Sequence, residues 1–258
     1  MIPKEINYIM YGLDKNYKPL QFDFNYSHYL NILSAKLINK DYKINLYHQC
    51  DIKPQWQDKL QKICNLIKID NLKYDLKLSH KEHIGDLFRL ETLYKNGGIY
   101  LDLDVVCINS FDTLLDKKCV MGLERGNNKL IGLCNAVIMT EPNSDFINAW
   151  LHEYKTKYKG EWSYNSVVFP YMLAQTGKYK VDIRPVDNFF KYSWDQGGRQ
   201  SLFFKNSDLK DCYCLHLWDN KNRDILSKYN DTIIMSTNNT VCNIYKNVLK
   251  KAKETIGI

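Results

Sequence analysis

Long apolar runs are missing from this sequence. Its opening residues, MIPKEINYIM, hold no hydrophobic stretch of signal-peptide length, so secretion through such a leader is not expected. Nowhere do about 18 consecutive apolar residues mark a membrane-spanning helix. The chain is therefore expected to work in the cytoplasm and to meet any membrane only peripherally. Arginine is scarce as well, with five residues against 31 lysines. The net charge of +7 would suit nucleic acid, an anionic membrane surface or a phosphorylated small molecule. The lysines, however, are scattered among abundant Asn, Tyr and Ile, a bias that AT-rich coding produces without any function. The densest basic runs, HEYKTKYKG from His152 and KNVLKKAKE from Lys246, suit solvated helix faces, and nucleic acid is not expected as a partner. Paired cysteine knuckles are absent too. Of eight cysteines only Cys212 and Cys214 lie close together, in Cys-x-Cys spacing with no second pair, which speaks against a structural zinc. Reduced thiols are expected instead.

What is present is the composition of a folded protein, 45% hydrophobic and 25% charged, which excludes disorder. A chain of 258 residues can bury a sizeable core, and no repeat, low-complexity run or linker divides it, so one domain is expected. KEINYIMYG alternates and ends in Gly12, as a buried first strand does. SHYLNILSAKLINK has helical spacing, YKINLYHQ reads as a second strand, QWQDKLQKICNLI as a helix and IKIDNL as a short strand. This β-α-β-α-β order indicates parallel strands covered by helices, a nucleotide-binding type of sheet. A helix from Lys81 to Lys95 stops at Asn96-Gly97-Gly98, residues that supply the left-handed backbone of a helix end. The strand IYLDLDVVCI follows directly. Further strands are expected at CVMGLE, NAVIMT, YKVDIRP and DCYCLHLWDN, and helices at PNSDFINAWLHEYK, SVVFPYMLAQTG and NTVCNIYKNVLKKAKE. Residues 187–207 lack periodicity and read as a long loop, of the kind that is functional or mobile.

One Asp-x-Asp triplet occurs, Asp102-Leu103-Asp104, where about 1.6 would arise by chance, so only its setting gives it meaning. The two aspartates are two apart on an extended segment and point to the same side. Asp86 and Arg89, three apart on a helix, can meet a common ligand or each other. A hard divalent cation takes oxygen ligands and bridges carboxylates to a diphosphate. The same residues also fit a surface ion pair beside an exposed strand end. Spacing alone leaves both readings open.

The segment from Asp86 to Val105, DLFRLETLYKNGGIYLDLDV, resembles the signature of glycosyltransferase family 32. That group includes yeast Golgi mannosyltransferases, bacterial capsular transferases and relatives of α-1,4-galactosyltransferase, and clostridial glucosylating toxins share a similar core. Nine positions match in one register: Asp86, Arg89, Tyr94, Gly97, Gly98, Ile99, Tyr100, Asp102 and Asp104. The opening IPKEINYIMYG is similar to the family's first strand, LCNAVIMTEPNSDF to the region beside the sugar, and CLHLWDN to a late His-x-Trp segment. Asn7 and Met10 depart from the pattern, which has His and Trp there. That Trp stacks on the donor base, a role Met10 fills less specifically, and Tyr11 and Tyr47 are the aromatic residues available to compensate.

The resemblance implies a GT-A fold, a Rossmann-like, mostly parallel sheet with helices on both faces and a C-terminal helix. Residues 1–110 would form the nucleotide-sugar half and 111–258 the acceptor half with a C-terminal metal and diphosphate segment. It implies metal-dependent transfer of a hexose, with retention, from a nucleotide sugar (a UDP-sugar first, GDP-mannose second) to a glycan, glycolipid or protein. Mn²⁺ or Mg²⁺ would act as Lewis acid on the leaving diphosphate. Asp104 is expected as direct metal ligand, Asp102 in the metal shell and near ribose or sugar hydroxyls, and His216 as a further metal or diphosphate contact beside Trp218. Asp86 and Arg89 would hold the sugar, Asn135 would contact sugar or acceptor, and Met10 or Tyr11 would face the base. His216 also fits a satisfied core histidine and Asn135 a turn residue. Trp162 and Trp194 fit either an acceptor groove or buried core. Two rival classes remain at this stage. One is an aspartate-nucleophile phosphatase with Asp102 attacking and Asp104 as acid. The other is a non-catalytic carbohydrate or nucleic-acid binder.

Overall fold

The computed structural model describes residues 1–14, 17–70, 72, 74 and 76–257. Its first half alternates as the periodicity requires. β1 (Glu5–Met10), α1 (Tyr26–Ile38), β2 (Lys43–His48), α2 (Pro54–Gln61), β3 (Asn65–Lys68), α3 (His83–Asn96) and β4 (Gly98–Leu101) build a parallel array in the order β3-β2-β1-β4. β3 begins earlier than the expected IKIDNL stretch, whose Asn71 lies outside the described residues. Beyond β4 come β5 (Val105–Cys107), β6 (Cys119–Gly126), β7 (Lys129–Thr140), α4 (Asp145–Thr156), a π-helical turn (Tyr164–Val168) and α5 (Phe169–Gln175). β8 (Asp182–Arg184), α6 (Val186–Phe189), α7 (Gln196–Phe203), β9 (Cys214–His216), α8 (Asp219–Leu226), α9 (Asp231–Ser236) and α10 (Thr240–Ile256) complete the chain. The seven-stranded sheet runs β3-β2-β1-β4-β7-β6-β8, with β7 antiparallel to both neighbours and every other pairing parallel.

Alternation along the strands divides the core into two layers. Ile6, Tyr8 and Met10 of β1 pack with α1 and α10, while Ile9 and Tyr100 pack with α3 and α4. Asn7, one of the departures from the family pattern, belongs to neither apolar set. It lies in register with Asn45 of β2, which in turn pairs with Asn65 of β3, and the three amides are linked side chain to side chain at 2.9 and 3.0 Å. The ladder runs from the buried Asn7 and Asn45 to the exposed Asn65 and pins the strand register.

Two expectations are corrected. The strand over residues 99–108 is broken: β4 pairs in the main sheet, β5 pairs with β9 in a separate two-stranded sheet, and the aspartates occupy the turn between them. Residues 187–207 are not a structureless loop but carry α7, whose N-terminus is capped by the Asp195 side chain at 3.0 Å from Gly198 N. Residues after β9 also hold two short helices without a sequence expectation: polar residues dominate α8, and α9 is only six residues long. The glycines at the end of α3 behave as expected. Gly97 and Gly98 have φ of 64° and 95°, and a side chain at Gly97 would strike the backbone of Pro142.

Candidate active site

Asp102 to Val105 form a β-turn closed by Val105 N donating to Asp102 O at 3.0 Å. The turn exists because β4 and β5 belong to different sheets and the chain must change direction between them. Helix α1 holds it from beneath. Asn31 Nδ2 donates to the Leu103 carbonyl at 2.8 Å, and Asn31 Oδ1 accepts from the Tyr245 hydroxyl of α10 at 2.9 Å. Ser27 Oγ meets the same hydroxyl at 2.7 Å, and all three residues are buried. The carbonyl between the two aspartates is thus fixed by a polar chain running through the core.

Helix α3 supplies the second part. Asp86 and Arg89 share its inner face as the three-residue spacing requires, with Nη2 to Oδ1 at 3.4 Å. Arg89 also reaches Asp102 Oδ1 at 3.2 Å and the Asn135 carbonyl at 2.8 Å, and its guanidinium lies 4.5 Å from the centre of the Tyr100 ring. Burial opposes the charge on Arg89, but Asp102, Tyr100 and Asp86 outweigh it and raise its pKa. Asp86 accepts from Asn135 Nδ2 and from the Tyr154 hydroxyl, each at 2.7 Å. Burial pushes the Asp102 carboxyl above its ordinary range, Arg89 pulls it back in part, and Asp104 raises it further.

The third part comes from the end of β9. His216 Nε2 lies 3.1 Å from Asp104 Oδ2, which also accepts from Asp219 N at 2.7 Å. Leu217 N donates to the Asp104 carbonyl at 2.8 Å. Between them Trp218 adopts φ 55° and ψ 55°, a left-handed conformation worth about 1 kcal/mol or more of strain in a residue with a side chain. Its indole N–H donates to the Tyr192 carbonyl at 2.8 Å, which holds the strained residue in place and turns Asp219 N toward Asp104. Burial raises the Asp104 pKa, but His216 more than reverses this and brings it to about 2. Burial lowers that of His216, and Asp104 wins there too, leaving it above its usual value. His216 Nδ1 is buried with no hydrogen-bond partner among the described residues.

One ligand atom each from Asp102, Asp104 and His216 lies within 4.8 Å of the others. Two carboxylates and an imidazole whose second nitrogen is unengaged fit a divalent cation that accepts mixed oxygen and nitrogen donors. This triad sits in a cavity of about 530 Å³ that Asp86, Arg89, Asn135, Tyr11 and Trp218 also line. Trp162 and Trp194 line it as well, Trp162 half exposed. Met10 is not brought to the cavity. Alternation sends it with Ile6 and Tyr8 into the α1 core, and Tyr11, one residue on, takes the cavity side, while Tyr47 packs against Phe88. The charged and titratable cavity residues that sequence reasoning does not reach include Glu124, His28, Lys221 and Arg223. The helix that carries Lys221 and Arg223 went unread, and a lone Glu on a strand carries no local signal.

Residues 21–121 match the family described as "Glycosyltransferase sugar-binding region containing DXD motif". Over 256 aligned residues the chain is 30% identical to Glucan organizing enzyme 1 of Cryptococcus neoformans var. grubii, covering 93% of this chain and 69% of that protein. The chain belongs to the DXD glycosyltransferases. Over 78 residues, 30% of the transferase, it is 37% identical to an uncharacterized protein of Arabidopsis thaliana, 11% of which is covered. Among solved structures, the apo-form glycosyltransferase GlyE of Streptococcus pneumoniae TIGR4 superposes with a TM-score of 0.52 at 13% identity, over 95% of the transferase and 60% of GlyE. The shared architecture is the GT-A fold, and the transferase is an enzyme of that class. The phosphatase and non-catalytic readings fall with this assignment.

Proposed function

We propose that the transferase moves a hexose from a nucleotide sugar to a glycan, glycolipid or protein acceptor, with retention and with dependence on Mn²⁺ or Mg²⁺. A UDP-sugar is the first candidate donor and GDP-mannose the second. The observation that carries this reading is the convergence of Asp102, Asp104 and His216 at the wall of a cavity that also holds the buried Arg89. A divalent ion held by those three residues would supply Lewis-acid stabilisation of the leaving diphosphate.

The remaining chemistry belongs to the chain itself. Arg89, fixed by two carboxylates and a carbonyl, presents a positive charge that needs no reorganisation as charge develops. Asp86 orients Asn135 and keeps one lone pair for a sugar hydroxyl beside its contacts to Asn135, Tyr154 and Arg89. Lys221 and Arg223, on the α8 side of the cavity, offer cations to the diphosphate. Tyr11 offers a ring to the base, and the exposed Trp162 offers one to an acceptor sugar. The name of the Cryptococcus relative refers to a glucan, which supports a glycan acceptor. No helix among the described residues is long and apolar enough to cross a membrane.

Calorimetric titration of UDP and GDP, with Mn²⁺ and then with chelator, tests the reading. One nucleoside diphosphate should bind in the presence of Mn²⁺ and at least about tenfold more weakly without it. Binding of neither, or binding indifferent to chelator, would overturn it.

A further inference from the structure

We propose that Glu124 contacts the transferred sugar and selects its ring hydroxyls. The inference rests on the nucleotide-sugar reading above and deepens it. Glu124 lies near the end of β6, 6% exposed, on the wall of the cavity shared with Asp86, Arg89, Asn135 and His216. Among the described residues no lysine or arginine pairs with it. Its neighbours are the Trp194 indole N–H, which donates to Oε1 at 3.1 Å, the Cys134 thiol and, further off, His216. A carboxylate buried without a cation opposes folding, and burial does raise its pKa. Unpaired buried acids that open onto a cavity are characteristic of ligand sites.

The backbone supports the same conclusion. The β6–β7 register slips between Met121 and Gly122 and again between Glu124 and Arg125, so Glu124 sits immediately before a register shift whose extra residue, Ile131, lies on the facing strand β7. Irregularities of this kind recur beside active sites. Two residues further, Gly126 leaves room for the Trp194 ring, which a Cβ there would approach to 2.4 Å. The Asp195 carboxylate then ties the same segment to the β6–β7 hairpin through Asn127 N at 2.9 Å. Trp194 is thereby locked over β6 with its N–H on Glu124, and the carboxylate is held in one orientation.

The ligand class follows by elimination. A carboxylate accepts hydrogen bonds and repels phosphate, so of a nucleotide sugar's parts the diphosphate cannot face Glu124. The diphosphate is drawn instead to the α8 side of the cavity, where Lys221 and Arg223 lie. The neutral, hydroxyl-rich hexose is the part that a fixed acceptor-only group complements. Sites that hydrogen-bond a substrate hydroxyl discriminate strongly against ligands that lack it.

The test compares wild type with Glu124→Gln, which keeps shape and the Trp194 contact, and with Glu124→Ala. Calorimetry with Mn²⁺ measures UDP, UDP-glucose, GDP and GDP-mannose, and donor hydrolysis gives kcat/KM. Expected is unchanged affinity for the free diphosphate, with affinity for its sugar conjugate and kcat/KM lowered about 10-fold in Glu124→Gln and up to about 100-fold in Glu124→Ala. Equal weakening of diphosphate and conjugate in Glu124→Gln would mark a purely structural role and overturn the inference. Wild-type affinity and turnover in both variants would overturn it as well. Failure of wild type to bind any of the four compounds would instead sink the nucleotide-sugar reading, and this inference with it.

Discussion

Arg89 is the residue on which the acidic cluster depends. It is buried, and it stands between Asp86 and Asp102, two carboxylates that would otherwise face each other uncompensated. Removing one member of a buried ion network leaves the others desolvated and unpaired, at about 3–5 kcal/mol. Arg89→Met should therefore lower Tm by roughly 10 °C, a shift that differential scanning calorimetry resolves. A change under 2 °C would show that the cluster is solvated and Arg89 merely superficial. At this scale the sequence was informative where spacing fixes geometry. Asp86 and Arg89 are three apart on a helix, and Asp102 and Asp104 flank one residue, so their proximity could be read directly. Met10 and Tyr11 illustrate the limit, because one step of strand alternation decides which of two neighbours reaches the cavity. Glu124 could not be found, since its meaning comes from its pairing with β7 and from Trp194, 70 residues away.

Among elements, the most consequential contact is the one between α1, α10 and the aspartate turn. Tyr245 and Asn31 are 214 residues apart, and no periodicity in either helix announces that their polar atoms meet. Both sit on faces that otherwise read as apolar core. Tyr245→Phe keeps the packing but strips Asn31 Oδ1 and Ser27 Oγ of their shared partner in a buried site. The expected loss is about 1–3 kcal/mol in denaturant unfolding, accompanied by weaker Mn²⁺ binding as the Leu103 carbonyl loosens. Full stability with unaltered Mn²⁺ affinity would mean that the turn holds its shape unaided. The strands and long helices were legible because each has a clear period and a clear stop. The short helices α6 to α9 were not, since each spans eight residues or fewer and is held by contacts rather than propensity.

For the whole molecule, the β-α-β-α-β opening was enough to indicate a parallel sheet with ligand binding at the carboxyl ends of its strands. The antiparallel β7, which brings Asn135 to Arg89, and the separate β5–β9 pair, which brings His216 to Asp104, depend on long-range pairing that local sequence does not encode. The site is thus assembled from three parts of the chain: the end of β1 with the α3–β4 segment, the β6–β7 hairpin, and the β9–α8 connection. The central claim is that these parts form a cation-dependent sugar-transfer site. It is tested most directly by hydrolysis of a panel of nucleotide sugars, with Mn²⁺ and with chelator, using wild type and Asp104→Asn. One donor should be hydrolysed with Mn²⁺ present, with turnover lost on chelation and reduced about 100-fold or more by Asp104→Asn. Hydrolysis that survives both chelator and Asp104→Asn, or no hydrolysis of any donor, would contradict it.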